Sequence, residues 1–283
     1  LDKTVYKRIG HVFSEVEKRE PWCKQSSKVA DIGVIMCAKP LGRDFTSDEG
    51  VMRMLFELHY TFDFITIHDA LDKYKLVILP DEVIVDDALS KKLKQYMKNG
   101  GKVIATYRSM HPDMGIEYLG DNEFCPSYMV INENFSPAID PMAYVCYERG
   151  AYVSSNLEPL VYVGKPYFNR TYDCFSSHKH FPYEKTTTYP AILKNESLYY
   201  CAYPLFKDYR KSGNRVYRDI IQKMMEDFLP LPVVKAQLPT CAEVTVRTQK
   251  DRMIVHILNY IAERRAEKMD IVDTKIPLYN IDM

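Results

Sequence analysis

No two cysteines of this 283-residue chain stand in C-x-x-C spacing, and their number, seven, is odd. Both facts argue against a disulfide framework and a zinc knuckle, and for a reducing, cytoplasmic compartment. No apolar run approaches the roughly 18 residues that a membrane-spanning helix needs. Net charge is missing as well: 38 Lys and Arg balance 38 Asp and Glu. Electrostatics therefore recommends neither a nucleic acid nor an anionic membrane as partner. The chain has no G-x-S-x-G, no Walker loop and no G-x-G-x-x-G. That removes the common serine elbow, the phosphate cradle and the dinucleotide fingerprint, and no cofactor is implied. Sequons at Asn134, Asn169 and Asn195 read as chance occurrences without other signs of secretion.

What is present is organised around residues 75–109. KLVILP is a short apolar run closed by a proline, as expected of a strand buried on both faces. Asp86 and Asp87 open a helix, Leu89, Leu93, Tyr96 and Met97 share one of its faces, and Asn99-Gly100-Gly101 closes it. KVIATY is a second buried strand. A strand, a helix and a strand with short links make a right-handed crossover in a parallel sheet. Sites in such sheets lie at the carboxyl ends of strands, here Thr106, Tyr107, Arg108 and Ser109.

Before this unit, residues 1–22 carry Val5, Ile9, Val12, Phe13 and Val16 on one helical stripe that Pro21 ends. The stripe reads either as a helix folded back on the chain or as a connector from a preceding domain, since the first residue is Leu1 and not Met. Residues 29–38 read as one buried strand, Thr46-x-x-Glu49 as a capping box, and residues 62–67 as the next strand. From residue 112 to 188 helical periodicity vanishes, and Tyr, Phe, Pro, Asn and Ser accumulate. This reads as an elaborated loop region with short strand-like runs at MVI (129–131), AYVCY (143–147) and LVYV (160–163). Residues 191–203 read as a hairpin turning at Asn195-Glu196-Ser197. A helix then turns Val216, Tyr217, Ile220, Ile221, Met224 and Phe228 inward. After the linker LPLPVV the period becomes two, giving a hairpin around Lys250-Asp251 and a third strand at residues 274–281. Three strands cannot bury both faces of a sheet, so this piece either packs on the α/β part or stops partway through a sandwich.

The α/β pattern permits a cysteine nucleophile at a strand-to-helix elbow, which needs a histidine and a carboxylate on a later strand. The elbow reads Ala105-Thr106-Tyr107-Arg108-Ser109 and the later strand ends Tyr203-Pro204-Leu205, so neither part is there. Cys37, Cys146 and Cys201 lie in apolar runs and read as core. His256, on an apolar hairpin run, reads as a hydrogen-bonded core histidine. The densest polar group is residues 166–185, with Arg170, Tyr172, Asp173, His178, His180 and Glu184 among aromatics. His178-x-His180 would put two rings on one side of a strand, but no third ligand stands at a recognisable spacing, so no metal is assigned. An Arg170–Asp173 pair is expected to order the loop. Aromatic platforms with polar groups also suit a sugar.

With these residues in view, the chain resembles the β-galactosidase trimerisation domain of glycoside hydrolase family 42 and its relatives. The resemblance rests on YKLVILPDEVIVDDALSKKLKQYMKNGGKVIATYRS and YPLFKDYRKSGNRVYRDIIQKMMEDFLPLP. YKRIGHVFSEVEKREPWC, NRTYDCFSSHKHFP and MIVHILNY look like hypothetical glycosyl hydrolases carrying this domain behind a catalytic barrel. The resemblance implies a class I glutamine amidotransferase-like (flavodoxin-like) α/β fold that has lost its nucleophile. Its sheet would be mostly parallel with helices on both faces, and a small, incomplete β domain would follow. Residues 1–27 would be a connector helix, 28–230 the trimerisation domain and 231–283 the partial β domain. A barrel with two catalytic carboxylates would precede them. The chain alone would then be non-catalytic, and the whole protein a homotrimeric glycoside hydrolase. The alternatives from the residues are a stand-alone hydrolase using Ser109, or a carbohydrate-binding module using the 166–185 loop. On the resemblance, Arg170, Tyr172, Asp173, His178 and His180 lie near substrate, and Tyr107, Arg108 and Ser109 form a degenerate elbow.

Overall fold

A computed structural model describes residues 2–37, 44–274 and 276–283. Ala38, the last residue of the expected 29–38 strand, and Lys275, in the expected 274–281 strand, lie outside them. The chain begins with α1 (Lys3–Arg19), capped by the Asp2 carboxylate on the Thr4 N–H at 2.8 Å. No residue of α1 is buried, and Val5, Ile9, Val12, Phe13 and Val16 all face solvent. The expected single strand at 29–38 divides into β1 (Ser27–Val29) and β2 (Ile32–Ile35), which enter different sheets. Asp31, buried between them, pairs with Lys75 at 2.7 Å and takes the Val233 N–H at 2.5 Å, which marks the break.

α2 (Thr46–Glu57) follows, then β3 (Phe62–Ile65) and β4 (Leu76–Leu79). The capping box expected at Thr46 and Glu49 does not form: Asp44, two residues upstream, accepts from the Thr46 N–H at 2.9 Å and from its hydroxyl. Glu49 instead pairs with Arg210 at 2.8 Å. The crossover is as expected. α3 (Asp87–Lys98) is capped by Asp86 on the Leu89 N–H at 2.8 Å and buries Leu89, Ser90, Leu93 and Tyr96. After Gly100, at φ 94°, comes β5 (Lys102–Thr106).

Residues 112–188 are richer in strands than an elaborated loop region, and the strand-like runs at 129–131, 143–147 and 160–163 fall on strands as expected. They form β6 (Ile116–Asp121), β7 (Ser127–Val130), β8 (Ala143–Cys146), β9 (Ala151–Ser155) and β10 (Glu158–Pro166), and run into β11 (Tyr183–Lys194). The hairpin at Asn195 is as expected. Its side chain accepts from the Ser197 and Leu198 N–H groups at 2.8 Å, and β12 (Leu198–Cys201) returns. α4 (Leu205–Ser212) and α5 (Arg215–Phe228) complete this part, and α5 buries every apolar residue expected of it.

The main sheet has nine strands in the order β3-β2-β4-β5-β12-β11-β10-β7-β8. From β3 to β12 all four pairings are parallel, and from β12 to β8 all four are antiparallel. The sheet is therefore mixed, not mostly parallel. Parallel neighbours need a crossover, and only the first half of the chain supplies helices between strands. Helices do cover both faces. Ile32, Val34, Leu76, Ile78, Ile104 and Tyr199 pack under α2, α4 and α5. The alternate residues Val77, Leu79, Val103, Ala105, Leu198 and Tyr200 pack under α3 and the β6–β9 ribbon.

The C-terminal hairpin is β13 (Ala242–Gln249) and β14 (Arg252–Asn259), turning at 250–251 as expected. β1 adds to it antiparallel, so the small sheet draws its third strand from residues 27–29. No strand forms over 276–281; β15 (Glu263–Ala266) and β16 (Met269–Ile271) make a separate exposed ribbon. Ala242, Val244 and Val246 are buried where β13 meets α2, so one face of the small sheet packs on the α/β part. Half-buried His256 has its Nε2 enclosed without a hydrogen-bond partner, contrary to the expectation of a bonded ring. Among the described residues no helix is long and apolar enough to cross a membrane.

Candidate functional site

β5 delivers Thr106 to Ser109 to the carboxyl end of the sheet. Thr106 is fully buried, donates to the Asp81 carboxylate at 2.7 Å and accepts the Asp81 N–H at 2.7 Å. Tyr107 adopts φ 52°, a left-handed conformation that costs a non-glycine residue about 1–3 kcal/mol. Three bonds hold it there. Its N–H donates to Cys201 O at 2.7 Å, its carbonyl accepts from the Tyr200 hydroxyl at 2.5 Å, and the next N–H, of Arg108, donates to Asp81 O at 2.7 Å. The backbone thus makes an elbow with a tyrosine at its bend. Arg108 lies 4.1 Å from the Tyr118 ring centre and 5.3 Å from that of Tyr107, and pairs with Asp121 at 2.7 Å. Ser109 is fully buried, and its hydroxyl accepts the Val83 N–H at 3.0 Å.

At the elbow the Tyr107 hydroxyl donates to the Asp121 carboxylate at 3.4 Å, while among the described residues Ser109 has no base beside it. The buried Ser109 oxygen accepts a backbone amide, and among the described residues no histidine or carboxylate is hydrogen-bonded to it. Burial pushes the Cys37 and Cys201 thiols up to about 12 and raises that of Cys146 well above the ordinary thiol range, so all three stay protonated at neutral pH. Asp81, with no exposed surface, is pushed up to about 6 by burial, against the pull of the Thr106 hydroxyl and the Lys207 N–H.

The loop between β10 and β11 lies beside the elbow, because both touch residues 121–125. Asn169 donates to Glu123 O at 2.9 Å and accepts the Cys125 N–H at 3.4 Å. Phe168 and Phe181 close the loop base with ring centres 4.3 Å apart, and the Tyr128 hydroxyl donates to Phe181 O. Of the five residues expected near substrate, only His180 touches the body of the fold. Its Nδ1 is 3.4 Å from the Tyr147 hydroxyl and its ring stands edge-on to Tyr147. Arg170, Tyr172, Asp173 and His178 are exposed. The expected Arg170–Asp173 pair is absent: Asp173 accepts instead from Thr171, two residues away, at 2.7 Å. In water an exposed ion pair gains too little to outweigh a local bond of this kind. His178 and His180 lie on no strand, so the His-x-His alternation does not apply. Among the described residues no group of three His, Cys, Asp or Glu side chains could hold a metal ion.

The residues that order the site were not the ones singled out in the sequence. Asn169 was visible only as a sequon, and Phe168, Phe181, Tyr128 and Tyr147 only as aromatic abundance. Tyr118 and Asp121, which hold Arg108, gave no signal. A groove of about 1210 Å³ lies at the other end of the sheet, along α3 and the amino ends of β4 and β5. Lys91, Lys92, Lys94 and Lys98 rim it, and Asp72 is its one carboxylate.

The stretch from α2 through the elbow to β6 decides the comparison with known families. Residues 52–118 match the beta-galactosidase trimerisation domain. Ile84, Tyr107, Arg108, Ser109 and Tyr118 fall inside the matched segment, and the β10–β11 loop falls outside it. The structure is also similar to alpha-L-fucosidase isoenzyme 2 from Paenibacillus thiaminolyticus, at TM-score 0.88 and 27% identity, over 99% of this chain and 46% of that one. Beta-galactosidases from Rahnella sp. R3 and Bacillus circulans sp. alkalophilus share the fold, at TM-scores 0.68 and 0.67 and 15% identity each. They are covered over 93% and 92% of this chain and 40% of theirs. The chain thus spans less than half the length of each of these glycoside hydrolases. No curated protein matches it.

Proposed function

We propose that this chain is the non-catalytic, oligomer-forming portion of a glycoside hydrolase whose catalytic barrel lies in the rest of the protein. The match of residues 52–118 to the trimerisation domain carries the reading. The elbow supports it: a tyrosine stands where a nucleophile would, and Ser109 is a buried acceptor. The parallel half of the sheet, with α3 on one face and α2 and α5 on the other, supports descent from an amidotransferase-like scaffold. In the boundaries we assign, residues 1–27 connect to the barrel, 28–230 form the trimerisation domain and 231–283 a partial β domain. The bare stripe of α1 supports packing against a preceding domain. The whole protein is a homotrimer in this reading, and seven unpaired cysteines support a cytoplasmic setting.

Arg170, Tyr172, Asp173, His178 and His180 complete the sugar pocket of a barrel, in the same or a neighbouring subunit. The exposure of Arg170, Tyr172, Asp173 and His178 supports this role, since side chains that stitched the loop to its own domain would be spent on that. This chain alone is expected to leave nitrophenyl galactosides, fucosides and mannosides intact. Turnover by the isolated chain, abolished by Ser109→Ala or by thiol alkylation, would replace the reading with a stand-alone hydrolase. The exposed rings of Tyr167, Tyr172 and Phe175 suit a sugar-binding loop as well. Calorimetry of the isolated chain with mono- and oligosaccharides separates that case, because a pocket completed only in the whole protein gives no heat here.

A further inference from the structure

α1 is bare along its length but not at its root. Among the described residues, each of its side-chain hydrogen bonds and ion pairs stays within residues 2–19. Residues 20–22 then continue it as a 3-10 turn, and the Cys23 and Lys24 N–H groups both donate to Glu20 O, at 2.9 and 2.8 Å. The chain bends at Gln25, whose φ of 51° is left-handed. A non-glycine residue keeps that conformation only where its surroundings impose it.

The surroundings in question lie more than two hundred residues downstream, on the C-terminal hairpin. The Gln249 side chain, only 8% exposed, donates from Nε2 to Pro21 O at 2.7 Å and to Lys24 O at 2.6 Å. Its oxygen accepts from the Arg252 guanidinium at 3.0 and 2.5 Å, which keeps the amide nitrogen turned toward the two carbonyls. Arg247 reaches the same bend from β13. Its Nε donates to Ser26 Oγ at 2.6 Å and a terminal nitrogen donates to Ser26 O at 2.8 Å. The pairing of β1 with β13 begins at the next residue, with Ser27 opposite Thr248.

Hydrogen bonds rather than burial make this joint. No residue of the 3-10 turn is buried, and a cleft of about 470 Å³ stays open between the bend and the hairpin turn. With little apolar surface covered, directional bonds decide the geometry, and those from a guanidinium are the stronger kind. The hairpin is itself anchored, because Ala242, Val244 and Val246 are buried where β13 meets α2. The root of α1 is thus tied to the α/β part through β13.

We infer that the C-terminal hairpin is the seat of α1: Gln249 and Arg247 are positioning residues that grip the bend at 21–26 and fix the direction in which the helix leaves the fold. A domain carried on α1 is then set at a constant angle to the main sheet by residues from the opposite end of the chain. That consequence rests on the reading of residues 1–27 as a connector, whereas the grip does not.

The test is pulsed electron spin resonance on the complete gene product, with spin labels on ketone-bearing residues introduced at Lys7 of α1 and Lys91 of α3, both exposed. Seven cysteines rule out thiol labelling. An excess of unlabelled protein removes distances between subunits. Gln249→Glu keeps the size of the side chain and its contact with Arg252, but sets a carboxylate against two carbonyls. Arg247→Met loses both bonds to Ser26. Arg252→Met leaves the Gln249 donors in place and serves as control. Thermal melting checks that each variant is folded. One narrow distance distribution is expected for wild type and Arg252→Met, and one roughly twofold wider or more for folded Gln249→Glu and Arg247→Met. A wide distribution in wild type would overturn the grip, and so would a narrow one in either folded variant. The connector reading is judged apart from this, by whether acidic substitutions on the α1 stripe lower the melting temperature of the complete protein.

Discussion

Ser109 and Asp81 illustrate how much a single residue at a strand end can do without chemistry. Ser109 has the position of a candidate nucleophile and the bonding of a loop anchor. Ser109→Ala should leave the buried Val83 N–H without an acceptor and cost about 1–3 kcal/mol in denaturant unfolding. Burial pushes the Asp81 carboxyl up to about 6 in the folded chain, against an ordinary value of about 3.8. Between those values the unfolded chain ionises while the native carboxyl keeps its proton, so stability falls as pH rises. Below about pH 3.8 the penalty is absent, and above about pH 6 it is complete, on the order of 3 kcal/mol. Unfolding of wild type and Asp81→Asn at pH 4 and pH 7 should show the wild type losing ground to the variant as pH rises. At this scale the sequence named the elbow residues but not their bonding. Arg170 and Asp173 look like a pair when written three apart, yet the hydroxyl of Thr171 is nearer, and no local pattern could reveal Tyr118 or Asp121 as the partners of Arg108.

Elements were legible where periodicity is long and single. α3 and α5 carry apolar residues at helical spacing over three or more turns, and of the buried residues of α5 only Met225 was missed. The region 112–188 was legible only in part: apolar runs marked β7, β8 and β10, whereas β6 and β9, short and set among polar residues, have too few alternations to stand out from loop. β1 was hidden for another reason: it belongs to a sheet whose other strands lie more than two hundred residues downstream. α1 is the element whose meaning the fold leaves to its surroundings. Val12→Asp and Phe13→Asp should shift the stability of the isolated chain by no more than about 0.5 kcal/mol, since neither side chain is covered. In the complete protein the same changes are expected to lower the melting temperature by several degrees if the stripe is packed on a barrel. Calorimetric scans of both forms make the comparison.

Taken as a whole, the molecule divides its two ends between different tasks: a lysine-rimmed amino end, and a carboxyl end bearing the elbow and the exposed loop. His178→Ala, His180→Ala in the complete protein should raise KM or lower kcat by tenfold or more, with melting nearly unchanged, because His178 is exposed and His180 holds only Tyr147. Lost stability with kinetics intact would return both histidines to a purely local role. The α/β class and the crossover were legible at this scale. The mixed sheet was not, since strand order depends on pairings between distant segments.

β12 has a consequence for how the protein is made. It is the inner strand on which the parallel half ends and the antiparallel half begins, and it pairs Leu198 with Val103. A ribosome emits β5 long before it emits β12. In that interval β5 is an open edge, flat, apolar and buried on both faces in the finished fold, the kind of strand that recruits copies of itself. Synthesis should therefore pass through a sticky half-sheet that only residue 201 closes. Nascent chains arrested before β12 are expected to bind holdase chaperones and pellet, whereas chains arrested after Phe228 should stay in the supernatant.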